Sequence, residues 1–117
     1  MDMTRISTCS IPLRDRPVDE AFAVIADAGF KKVDLLGRMP HFSLDPAELA
    51  PETIQAAAEK RGLRIANLGT YVGSKFVSDD ETELARELDD LKRAVDLAVF
   101  FGARSIRVMP GLSLIHI

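Results

Sequence analysis

One short unit occurs three times along this chain, and it constrains the fold more than any other feature. The copies are Gly29-Phe30-Lys31-Lys32-Val33-Asp34-Leu35-Leu36, Gly62-Leu63-Arg64-Ile65-Ala66-Asn67-Leu68-Gly69 and Gly102-Ala103-Arg104-Ser105-Ile106-Arg107-Val108-Met109. Each follows a helical pattern and opens on a helix-ending glycine. A small or apolar residue, a basic residue and a short apolar run come next. The glycines stand 33 and 40 residues apart, which is the period of a β/α repeat. A chain built this way reads as part of a barrel.

The elements follow from local chemistry. Arg5 to Ile11 is predicted as the first strand, ended by Pro12. Pro17 suits the first turn of a helix whose apolar face is Val18, Phe22, Ile25 and Ala26, with Gly29 closing it. Lys32 to Leu36 is the second strand, and residues 37–49 form a loop. Pro51 opens a second helix with Ile54, Ala57 and Ala58 inward, stopped by Gly62. Arg64 to Leu68 is the third strand, with a possible extension to Val72. Ser78 and Glu81 have the spacing of a capping box before the longest helix. That helix is expected to bury Leu84, Leu88, Leu91, Val95 and Ala98, and to expose Glu83, Arg86, Glu87, Asp90 and Arg93. Gly102 ends it, and Ser105 to Met109 is the fourth strand.

The order βαβαβαβ implies right-handed crossovers between parallel strands. About eight such units of roughly 35 residues would make a (β/α)8 TIM barrel of ~280 residues. The expectation is therefore an α/β fold forming the N-terminal half of a (β/α)8 barrel over residues 1–111. An open four-stranded doubly wound domain fits the spacing equally. Residues 112–117 read as a tail that is not native, so His116 is given no role. A half barrel exposes two sheet edges and an apolar inner face, and two copies pairing as a homo-oligomer would cover them.

Composition narrows the partners. The 117 residues carry 15 basic and 18 acidic side chains, a formal net charge of −3. There is no basic tract to bind nucleic acid, no run long enough to span a membrane and no signal-peptide pattern at the N-terminus. A single cysteine, Cys9, excludes an internal disulfide and fits a reducing, cytoplasmic setting. Cys9 has no assignable base and reads as a buried structural residue.

In parallel α/β folds the working end lies where strands run into helices. The candidates for substrate contact there are Asp34, His41, Asn67, Tyr71 and Arg107. Asp34, inside an apolar run, could orient a hydroxyl if it points into the barrel. His41 could contact substrate or move a proton near neutrality. Asn67 could be an inward polar group, and Tyr71 could stack on a sugar face. Arg107 could bind a phosphate or carboxylate, or serve only an internal ion pair. No catalytic residue and no metal ligand can be assigned from the residues alone, and no glycine fingerprint for a nucleotide is present.

Three segments together carry a resemblance. Ala26 to Leu36 (ADAGFKKVDLL), Glu59 to Ala66 (EKRGLRIA) and Ala98 to Gly111 (AVFFGARSIRVMPG) resemble the sugar phosphate isomerase/epimerase superfamily, the xylose-isomerase-like TIM barrels. The resemblance covers nearly the whole chain to Gly111. It implies a metal-dependent isomerase or epimerase of a small carbohydrate, exchanging a proton next to a carbonyl. It implies a divalent metal (Mn, Mg, Co or Zn) whose main ligands come from later strands, so that this segment alone is expected to be inactive. Asp34 matches a position where many members carry a carboxylate. Many members have a histidine just before the Pro-Gly of the fourth strand, where this chain has Met109. An endonuclease IV-like hydrolase, a dehydratase on the same barrel and a non-enzymatic α/β module are the alternatives.

Overall fold

A computed structural model describes residues 2–109. Four strands, β1 (Thr8–Cys9), β2 (Lys32–Leu36), β3 (Arg64–Gly69) and β4 (Ser105–Arg107), alternate with three helices, α1 (Val18–Asp27), α2 (Pro51–Lys60) and α3 (Glu81–Phe101). The strands pair in chain order, β1-β2-β3-β4, and every pair is parallel. Right-handed crossovers that always step the same way place every helix on one face of the sheet. The expected βαβαβαβ order is thus the order found, and it is that of part of a TIM barrel.

The core lies between the sheet and these helices. Val33, Leu35, Ile65 and Leu68 from the strands meet Phe22, Ile25, Ile54, Ala58, Ala98 and Phe101 from the helices in one buried cluster. The apolar positions read for the first two helices are those buried, apart from the half-buried Ala26. Pro17 caps α1 and Pro51 is the first residue of α2, where a missing N–H costs nothing. Each helix stops where the repeat places its glycine. Gly102 has a φ of 74°, a left-handed conformation that lets its N–H reach back to the Ala98 and Val99 carbonyls.

Three expectations change in detail. The first strand shrinks from residues 5–11 to Thr8–Cys9, because 3₁₀ turns at Met3–Arg5 and Ile11–Leu13 take the flanks. The third strand ends at Gly69 and the fourth at Arg107, although the chains stay joined beyond them by Met109 N–H donating to the Val72 carbonyl at 2.7 Å. The N-cap of α3 is Asp80, whose carboxylate accepts from Thr82 N–H at 2.8 Å. Ser78 instead accepts from Asp80 N–H and donates to Glu83 at 2.5 Å.

The larger correction concerns which face of α3 is inward. Leu88 and Val95 are 47% and 44% exposed, while Glu87, placed by its charge on the solvated face, is only 9% exposed. The buried stripe is Glu87, Ala94, Ala98 and Phe101. Small alanines let the helix lie close to the sheet. Glu87 is drawn inward by a bond to Gly73 N–H at 2.6 Å, which satisfies a buried donor that would otherwise be costly. Leu88, Val95 and the 74% exposed Val99 form a second apolar stripe, of the kind a neighbouring helix covers in a complete (β/α)8 ring. None of the described helices is long and apolar enough to cross a membrane.

Candidate functional site

Strand alternation divides β2 into two faces. Val33 and Leu35 enter the core, so Asp34 faces the other way, onto the side without helices. Its register partners share that face: Cys9 on β1 and Asn67 on β3, with Ser105 on β4 opposite Asn67. A register shift between Val33 and Asp34 keeps this row aligned, since β3 inserts Ala66 before Asn67. The result is a polar row across the open face. Ser7 donates to Asp34 Oδ1 at 2.9 Å, and Ser105 donates to Asn67 Oδ1 at 2.8 Å. These bonds leave Asp34 Oδ2 and the Asn67 amide N–H groups free of partners among the described residues. Cys9 is half-buried in this row, not enclosed in the core as expected.

A second layer stands at the carboxyl ends of the strands. Arg107 pairs in register with Gly69. Its guanidinium donates to the Thr70 carbonyl at 3.2 Å and to the Gly69 carbonyl at 3.1 Å. A Cβ on Gly69 would touch Arg107 Cζ only at an ordinary contact distance of 3.7 Å and would lie more tightly, at 3.2 Å, against the Leu35 carbonyl. The Thr70 hydroxyl in turn donates to the Arg107 carbonyl. Gly37 is held still more tightly, because any Cβ on it would overlap the Gly69 carbonyl. Tyr71, next along, is partly exposed, and two cations flank its ring: Arg107 Cζ at 4.8 Å and Arg38 Cζ at 5.1 Å from the centroid. Arg38 lies in the loop after β2. Its pairing with Tyr71 carries no sequence signal, because the two are joined only by the closeness of the β2 and β3 ends.

His41 takes a different place. It is fully buried in the loop after β2, beside the buried Phe42, which packs edge-on against Phe101 at 6.3 Å. His41 Nδ1 lies 2.8 Å from Ser10 Oγ, and Nε2 lies 3.2 Å and 3.0 Å from the Leu13 and Arg16 carbonyls. Carbonyls only accept, so Nε2 carries the proton and Nδ1 accepts the Ser10 hydroxyl. Ser10 Oγ also accepts from Leu36 N–H at 2.9 Å. Burial pushes the His41 pKa below its ordinary value, opposed by the bonds to the Arg16 and Leu13 carbonyls. Both ring nitrogens are engaged, so His41 ties its own loop to Ser10 after β1, which holds the Leu36 N–H of β2, and to the Leu13–Arg16 segment.

The fit to a metal ion can be tested on these side chains. Among the described residues no three His, Cys, Asp or Glu groups converge to hold one. Asp34 offers one carboxylate, and His41 has no free nitrogen. The described residues do not compose a metal site.

The xylose isomerase-like TIM barrel family matches the chain over residues 22–115. Solved structures agree with it. The 3-keto-D-glucoside 4-epimerase YcjR of E. coli is 18% identical with a TM-score of 0.65, over 87% of this chain and 36% of that one. A xylose isomerase domain containing protein of Salmonella typhimurium is 19% identical with a TM-score of 0.70, over 94% and 38%. An AP endonuclease, family 2, of Brucella melitensis is 19% identical with a TM-score of 0.67, over 92% and 41%. At such identities the likeness is one of fold. The chain spans about two fifths of the length of these structures. No curated protein matches it. With four parallel strands in barrel order and a family match over most of its length, the chain belongs to the xylose isomerase-like TIM barrel family.

Proposed function

We propose that the protein to which this segment contributes is an isomerase or epimerase of a small carbohydrate, moving a proton at the carbon next to a carbonyl. The observation that supports it most is the polar row on the helix-free face of strands belonging to a barrel family, with Tyr71 and Arg107 at the carboxyl ends of those strands. Asp34 Oδ2 and the Asn67 amide are placed to accept from and donate to sugar hydroxyls. Tyr71 offers an aromatic face for the apolar side of a sugar ring. Arg107 sits at the rim with its charge fixed by two carbonyls. His41 acts as a positioning residue through Ser10, neutral and not transferring a proton.

A divalent metal, common in this superfamily, would supply electrophilic stabilisation beside the carbonyl if bound. Its ligands and the proton-transferring groups lie outside the described residues. Residues 2–109 contribute substrate contacts and carry no catalytic step of their own. The alternative favoured by one neighbour is a family 2 AP endonuclease. It predicts incision of DNA at abasic sites and no sugar product.

The test is a product assay on the whole protein with divalent metal and a panel of ketoses and keto-glycosides, read by NMR. An isomer or epimer forms if the reading holds. Asp34→Asn and Asn67→Ala each lower kcat/KM by about tenfold to a hundredfold, the scale of a lost hydrogen bond to a charged or polar group. Incision of abasic DNA without any sugar product would replace the reading with the alternative.

A further inference from the structure

Arg38 and Arg107 come from different strand ends, 69 residues apart in sequence, yet flank one tyrosine ring. The ion pairs found among the described residues involve Asp19 and Glu83, and neither arginine takes part. Arg107 spends its Nε–H and one N–H of Nη2 on carbonyls, leaving the rest of its fork unused. The Arg38 side chain makes no hydrogen bond among the described residues and is exposed, while its carbonyl accepts from the His41 and Phe42 N–H groups. Two guanidinium groups, each about 5 Å from the same ring and neither in an ion pair among the described residues, make a local concentration of positive charge. Arginine forks match the two oxygens of a carboxylate or phosphate. The Tyr71 ring is partly exposed between them.

We infer that Arg38, Tyr71 and Arg107 form an oxyanion-binding site at the mouth of the barrel, taking a phosphate or carboxylate group of the substrate. The inference rests on the proposed carbohydrate reaction for its biological meaning, and narrows the substrate to one carrying an anionic group. Arg107 is the fixed half of the site, held by the Gly69 and Thr70 carbonyls. Arg38 is the exposed half, with no hydrogen bond on its guanidinium among the described residues. The Tyr71 ring attracts both cations.

The chain supplies its own probe, because Tyr71 is the one tyrosine in the sequence. Its ring 1H–13C signals are followed by NMR at constant pH and ionic strength during titration with inorganic phosphate, and separately with acetate, against sodium chloride. Saturable movement with phosphate alone identifies a phosphate site. Movement with acetate at comparable concentration identifies a site that also takes carboxylates. In either case Arg38→Gln raises the half-saturating concentration about tenfold, the scale of a charge-assisted hydrogen bond, and Arg38→Lys restores part of it. The exposed Arg38 side chain has only its contact with the Tyr71 ring to lose, so this variant folds even if Arg107→Gln does not. Signals that follow the chloride control, or Arg38→Gln titrating like the unaltered chain, would overturn the inference. Ion binding needs no turnover and no metal. Anion binding without isomerisation therefore removes only the proposed function, and turnover of neutral sugars with Tyr71 unmoved by anions removes only this site.

Discussion

Ser10 and His41 form a closed pair, the hydroxyl donating to Nδ1 over 2.8 Å while both residues are fully buried. Ser10 directly follows the first strand, and His41 belongs to the loop after the second. The pair joins two consecutive β/α units at the carboxyl ends of the strands, the end that carries Tyr71 and Arg107.

This pairing makes stability depend on pH. The folded His41 titrates below its ordinary value of about 6.5, because burial disfavours the imidazolium. The unfolded chain therefore binds the proton more readily than the folded one. The stability is fully present above about 6.5 and is lost as pH falls from there toward the lower, folded pKa. Urea midpoints measured between pH 5 and pH 8 should fall on the acid side, and His41→Gln should flatten that slope. An unchanged slope in the variant would assign the pH dependence to other groups.

Removing the hydroxyl tests the same pair without a charge. Ser10→Ala leaves Leu36 N–H and His41 Nδ1 without partners in a dry place. The expected loss is about 1–3 kcal/mol in urea denaturation.

Gly37 and Gly62 separate close packing from backbone conformation. A Cβ on Gly37 would overlap the Gly69 carbonyl, whereas one on Gly62, at a φ of 70°, meets nothing within 4 Å. Gly62→Ala should cost about 1–2 kcal/mol, the left-handed penalty alone. Gly37→Ala should cost about 1–3 kcal/mol from overpacking and should also shift the Tyr71 NMR signals, since the displaced Gly69 carbonyl holds Arg107. Gly62→Ala should leave those signals in place.

The inward face of the third helix gives another comparison. Glu87→Ala strips Gly73 N–H of its acceptor and should cost about 1–3 kcal/mol. Glu87→Gln keeps an acceptor oxygen and should cost less. Val99→Lys, on the exposed stripe, should change stability by no more than about 0.5 kcal/mol while reducing light scattering from self-association. The opposite ranking would restore the inward face expected from the leucine spacing.

Much of the architecture was legible because the repeat states it. A helix-ending glycine followed by a basic residue and an apolar run marks each turn into a strand, and β2 and the glycine stops lie where that pattern puts them. The face of α3 was not legible, since its sequence carries two apolar stripes. Spacing alone favours Leu84, Leu88, Leu91 and Val95, and the choice was made by alanine packing and the Gly73 N–H. The placement of Asp34 on the helix-free face follows from alternation with Val33 and Leu35. The roles of Ser10 and Arg38 did not, because each depends on a partner brought near only by strand pairing. His41 stood out as a titratable loop residue, and its burial between two carbonyls and a serine is set by tertiary contacts.

The most direct measurement follows hydrogen at the carbon next to the substrate carbonyl. The whole protein is incubated with divalent metal in D2O with keto sugars, both neutral and carrying a phosphate or carboxylate, and solvent deuterium is followed by NMR. The account predicts deuterium at that carbon together with an isomerised or epimerised product, slowed by Asp34→Asn. Full retention of the original hydrogen across the panel, with abasic DNA cleaved under the same conditions, would contradict it.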